Sequence, residues 1–76
     1  MKKAQFLTEL EDILQRDEAC KENDVLEDYD EWDSLSKMAL MAFYDKKFGI
    51  RVDLNDLRNV NLVSDLIKLA GENIND

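Results

Sequence analysis

Apolar positions recur at helical spacing near both ends of this chain and in its middle. Phe6, Leu7, Leu10, Ile13 and Leu14 share one face, with Thr8, Glu9, Glu11 and Asp12 on the other. The spacing predicts a first helix over about residues 3–15. Thr8 and Glu11 also match a capping box, but a cap at Thr8 would leave Phe6 and Leu7 outside the stripe. The helix is therefore expected to start earlier.

A second helical pattern opens at Asp33 and Ser34, residue types that favour a helix start, and predicts a helix over about 34–47. Its apolar residues cover two sides. Leu40, Met41, Tyr44 and Phe48 suit one stripe, and Leu35, Ala39 and Ala42 another. A helix apolar on two sides is either central or partly exposed for a partner. The Met-rich run Met38, Leu40 and Met41 reads first as core. Gly49 marks the C-terminal cap.

Ile50 and Val52 alternate with Arg51 and Asp53, but no neighbouring strand pattern offers a partner, so this segment is expected to be an extended loop. Leu54, Leu57 and Val60 allow a short helix over 54–58. Asn61 is the expected N-cap of a last helix, about 62–72, bearing Leu62, Val63, Leu66, Ile67, Leu69 and Ala70. Asn73 to Asp76 are expected to fray. Between the first two helices, Asp17 to Asp33 exceeds the usual limit of about 12–15 residues for structureless loops. Val25, Leu26, Tyr29 and Trp32 are expected to tether it, with core anchoring preferred over a binding strip. The fold class is all-α, a single domain over residues 1–76.

Composition narrows the partners. The chain has 76 residues and 45% hydrophobic content, a thin core for a small domain but too apolar for a disordered acidic tail. It has one Cys and no His, so neither a disulfide framework nor a zinc site supports it. A lone Cys and the absence of any apolar run of roughly 20 residues lead to the expectation of a cytoplasmic chain without membrane insertion. Net charge is −8, and residues 1–33 hold all of it, with twelve acids against four bases. Such an acidic chain repels nucleic acid and anionic membranes and favours basic protein partners.

Rival chemistries fail on their own requirements. Reading Asp28 as the first position of a calcium-binding EF-hand loop puts Trp32 at the fifth, Asp33 where Gly is required and Ala39 where the bidentate Glu belongs. A solvated charge run is the preferred reading of those acids. Ser34 has no His to act as its base in a serine triad. Cys20 lies among acids that disfavour its thiolate and reads as incidental. No metal site and no catalytic residue are expected.

What remains is an exposed serine at a helix start, where unsatisfied N–H groups and the helix dipole suit a phosphate ester. Asp33-Ser34-Leu35, opening a helix that closes in Phe48-Gly49-Ile50, resembles the acyl carrier protein family. Leu62-Val63-Ser64-Asp65-Leu66 also resembles the opening of that family's last helix, with Leu in place of Thr. The resemblance spans nearly the whole chain. It implies a four-helix bundle of acyl-carrier type, with three longer helices, one short helix and a long first loop.

The resemblance further implies a 4'-phosphopantetheine arm on Ser34, flanked by Asp33 and Leu35, added from coenzyme A by a phosphopantetheinyl transferase. An acyl- or aminoacyl-loading ligase and an acyltransferase or synthase would then be partners of a monomeric, non-catalytic carrier. Leu35, Met38, Trp32 and Lys37 are the implied partner-binding residues. Leu40, Met41, Tyr44, Val52, Leu57 and Leu66 are the implied lining of an acyl pocket. The lead-in Glu31-Trp32-Asp33, Ala39 at a usually acidic position, and Lys37, Lys46 and Lys47 look more like small stand-alone carriers of dedicated pathways than the housekeeping fatty-acid carrier. The alternative is an acidic helical adaptor in which Asp33-Ser34 only caps a helix.

Overall fold

A computed structural model describes residues 1–75. It contains α1 (Lys3–Leu14), α2 (Ser34–Phe48), α3 (Leu54–Arg58) and α4 (Val63–Leu69), with single 3-10 turns at Leu26–Asp28 and Gly71–Asn73. Two isolated backbone bridges, Lys2–Asn75 and Val25–Leu62, join distant segments, and no strand occurs among the described residues. The all-α expectation holds, and the bounds of the first three helices fall close to those the periodicity predicts. The last, α4, ends at Leu69 and not near residue 72, with a 3-10 turn at Gly71–Asn73 in place of its expected last turn. None of the described helices is long and apolar enough to cross a membrane.

One hydrophobic core collects Phe6, Leu10 and Leu14 from α1, Leu40 and Tyr44 from α2, Leu57 from α3, and Val63, Leu66 and Ile67 from α4. The spacing of four between Phe6, Leu10 and Leu14, and between Leu40 and Tyr44, keeps each set on one helical face. Burial of each such side chain contributes about 1.5–3 kcal/mol. Phe6, Phe43, Tyr44 and Phe48 form a ring cluster with centroids 5.6 to 6.2 Å apart.

The helix ends follow from local chemistry. Gln15 adopts a left-handed conformation (φ 57°) and stops α1, while Arg16 N–H turns back to the Glu11 carbonyl at 2.9 Å. Gly49 (φ 67°) stops α2 as expected, its N–H donating to the Asp45 carbonyl. Thr8 caps nothing; its hydroxyl donates to the Ala4 carbonyl within α1.

The long first connection is ordered by backbone pairing. Val63 and Ser64, in the first turn of α4, donate to the carbonyls of Asp24 (3.0 Å) and Glu22 (2.9 Å). Asp65 accepts from the backbone N–H groups of Asn61 and Leu62, both at 3.0 Å. These groups replace the expected Asn61 cap: the helix starts one residue later, after Leu62, and Asn61 instead gives its carbonyl to Leu26 N–H. Val25, expected as a tether, is 40% exposed and holds the loop through its backbone bridge to Leu62. Leu26, Tyr29 and Trp32 are buried.

The C-terminal segment does not fray through Asn75. The Met1 ammonium donates to the Asn73 carbonyl, Asn75 N–H to the Met1 carbonyl and Lys3 N–H to the Asn75 carbonyl, all at 2.8 to 2.9 Å, and Ile74 is buried. These bonds satisfy donors that the start of α1 would otherwise leave open. Asp76 lies outside the described residues.

Candidate functional site

Ser34 is the first residue of α2 and is exposed. A reciprocal box fixes the turn around it. Ser36 N–H donates to Asp33 Oδ1 (2.9 Å), Asp33 N–H to Ser36 Oγ (3.0 Å), and the Ser36 hydroxyl to the Asp33 carbonyl (3.0 Å). The box uses Ser36 in place of the more usual Glu or Gln. Among the described residues neither the hydroxyl nor the N–H of Ser34 makes a hydrogen bond. Of two serines two positions apart, one is locked and buried and the other is exposed with its hydroxyl unbonded among the described residues.

One carboxylate of the site and two elsewhere in the fold are favoured in their ionised form by hydrogen bonds. The Ser36 backbone N–H holds the Asp33 carboxyl below its ordinary value of 3.8. The Leu62 and then Asn61 N–H groups do the same for Asp65, and the Tyr29 hydroxyl, donating at 2.7 Å, does so for Asp24. A carboxyl whose folded pKa is depressed adds stability that is present above its unfolded value and lost as pH falls through the folded one. Thermal melts are therefore expected to hold their midpoint toward neutral pH and to drop progressively below about pH 4. Asp33→Asn should flatten part of that drop; an unchanged acid profile would remove the box from the account.

Behind the site, the loop is clamped to the end of α1. Arg16 Nη1 pairs with Glu31 Oε1 at 2.9 Å, and its guanidinium lies 3.8 Å from the centroid of the Tyr29 ring. Such stacking on a partly desolvated ring contributes about 0.5–2 kcal/mol. Glu31 is thereby fixed two residues before Asp33. Cys20, read as an incidental loop residue, is buried at 4% exposure and belongs to the core. Burial is the main cause that pushes its thiol up from 9.0, so it is no thiolate nucleophile.

The partner-binding expectations divide. Leu35 is 78% exposed and Met38 59%, and Ala39 and Ala42 are exposed beside them at helical spacing. Met38 is thus not core, because only the Leu40 and Tyr44 side of α2 faces the other helices. Trp32 is 8% exposed, so its ring is an anchor and offers little open contact surface. Lys37 sits over it, Nζ 5.3 Å from the ring centroid.

Of the residues expected to line an acyl pocket, Leu40, Tyr44, Val52, Leu57 and Leu66 are all buried, and Met41 is half-buried against the core. They come together, but as packed core: the Tyr44 hydroxyl donates to the Leu66 carbonyl inside it. A groove of about 330 Å³ instead borders the site on the other side, between the end of α1 and the start of α2. Ile13, Leu14, Gln15, Glu31, Leu35 and Ala39 line it with the residues of the box. The sequence marks Ile13 and Leu14 as apolar helix positions and Glu31 and Ala39 as departures from the carrier pattern, none of them as groove lining. Nor does it single out Ser36, Arg16 and Glu31 in their structural roles. Asp33 and Ser36 do stand at capping-box spacing, and that signal was available.

No group of three or more acids or Cys gathers to hold a metal ion among the described residues. Compared with known protein families, curated proteins and solved structures, the chain matches no family model, no curated protein and no solved structure.

Proposed function

We propose that this chain is a phosphopantetheine-dependent carrier, with Ser34 as the attachment point. The observation that carries the reading is the Ser34 hydroxyl, exposed and unbonded on a first helical turn made rigid by its neighbours. Four helices with a short third one and a long, tethered first connection are also the element order that the resemblance to acyl carrier proteins implies.

The residues fit the group. An exposed hydroxyl beside an open Ser34 N–H at the positive end of a helix of 15 residues suits a phosphate ester. When bound, the arm supplies a terminal thiol that carries acyl or aminoacyl cargo as a thioester. The chain's own residues keep the attachment point in place. Asp33 and Ser36 fix the backbone of the turn, and Leu40 and Tyr44 root the helix in the core. Leu35 and Met38 give partner enzymes an apolar contact beside the serine, and Lys37 adds a positive charge that acidic partners would favour. The transferase, a loading ligase and an acyltransferase or synthase are the partners in this reading.

The adaptor reading has one observation in its favour: the box accounts for Asp33 and Ser36 without any prosthetic group. It leaves the free Ser34 unexplained. Incubation of the chain with coenzyme A, Mg²⁺ and a broad-specificity phosphopantetheinyl transferase decides between them. Intact mass should rise by one phosphopantetheine. No gain with several transferases would overturn the carrier reading.

A further inference from the structure

Resting on that reading, we infer that the arm itself, without its cargo, lies along the groove between the end of α1 and the start of α2. Asp33 and Leu35, the two neighbours of Ser34, both line this groove while Ser34 itself does not, so an arm rooted at Ser34 has the groove within one residue of its root. Its volume of about 330 Å³ is at the lower end of the roughly 300–1,000 Å³ of ligand sites.

The lining selects the occupant. Ile13, Leu14, Leu35 and Ala39 provide apolar contact, and Gln15 and Glu31 provide hydrogen-bond acceptors. Pantetheine has the same alternation, with a geminal dimethyl group followed by a hydroxyl and two amides whose O–H and N–H groups donate. A bare alkyl chain would cover Gln15 and Glu31 without offering either a donor. Glu31 is paired with Arg16 at 2.9 Å, which offsets its repulsion of the phosphate. The core side of α2 offers no comparable resting place, because Leu40, Tyr44 and Leu66 are fully buried there.

The test uses ¹³C,¹⁵N-labelled chain loaded with an unlabelled arm from coenzyme A, with loading verified by intact mass. Isotope-filtered NOE spectra are expected to connect the geminal methyl groups of the arm to the methyl groups of Ile13 and Ala39. Amide shifts from Ile13 to Gln15 should differ between unloaded and loaded protein by more than a line width. Complete loading with NOEs confined to Ser34 and Leu35, or found at Leu54 and Leu57 instead, overturns the groove while leaving the carrier intact. An absent mass gain overturns the carrier reading and the groove together.

Discussion

Ser34→Ala is expected to abolish transferase-dependent mass gain completely, while Ser36→Ala retains it and loses stability instead. The two serines differ by two positions and by their bonding. The Ser34 side chain contributes an exposed hydroxyl and makes no hydrogen bond among the described residues, so its removal should leave the thermal midpoint nearly unchanged. Ser36 is 8% exposed and gives its hydroxyl to the box in two directions, accepting from Asp33 N–H and donating to the Asp33 carbonyl. Net losses of about 0.5–1.5 kcal/mol per hydrogen bond predict a measurable fall in stability for Ser36→Ala. Mass spectrometry and urea unfolding on the same samples separate the effects. Mass gain in Ser34→Ala equal to wild type would assign the modification elsewhere. A stability loss in Ser34→Ala as large as in Ser36→Ala would make both residues structural.

That separation rests on a distinction the sequence shows only in part. Asp33-Ser34-Leu35 marks the helix start, and the structure begins α2 at Ser34. Local information suffices there, because cap chemistry acts over three or four residues. The same holds for Gly49 and for α3, whose bounds coincide with the expected 54–58. What could not be read locally depends on distant backbone. Asn61 has the composition of a cap, yet the donors of α4 find the carbonyls of Asp24 and Glu22 about forty residues earlier in the chain. The end of the chain looks frayed because nothing nearby binds it; its partners are Met1 and Lys3.

Met38 and Cys20 fail for a related reason. Periodicity gives the angle between residues on a helix but not which of two apolar sides meets the core. Leu40 and Tyr44 face inward with Ser36, so Met38 and Leu35 must face outward. The resulting exposed apolar face begins beside the free serine. Cys20 lies in an acidic stretch, yet Glu11 fixes its backbone at 3.1 Å through a side-chain carboxylate, and the thiol turns into the core. Asp24 and Glu31 of this loop, with Glu11 of α1, thus serve as hydrogen-bond acceptors or ion-pair partners, which a charge count does not reveal.

Tyr44→Ala is expected to remove about half of the protein's stability, about 3–5 kcal/mol, and Tyr44→Phe to cost about 1–3 kcal/mol. The side chain is fully buried and packs against Phe6, Phe43 and Phe48. Its hydroxyl gives the Leu66 carbonyl a partner near the end of α4, where Ala70 N–H turns to Ile67 instead. Tyr44→Phe keeps the ring contacts but leaves that buried carbonyl unsatisfied, which sets the smaller cost. Tyr44→Ala also removes the ring, and core aromatic truncation costs about 3–5 kcal/mol. Natural domains hold roughly 0.05–0.15 kcal/mol per residue, or about 4–11 kcal/mol for a chain of 76 residues, so the larger loss removes about half of it. Urea titration followed by Trp32 fluorescence should show a lower midpoint with an unchanged slope for Tyr44→Phe. A Tyr44→Phe midpoint equal to wild type would mean that the Leu66 carbonyl needs no side-chain donor. The hydrogen bond also bears on where cargo can go. Leu40, Tyr44, Leu57 and Leu66 come from α2, α3 and α4, and this bond joins α2 to α4 among them. A chain packed in this way presents Ser34 outward and keeps its core closed.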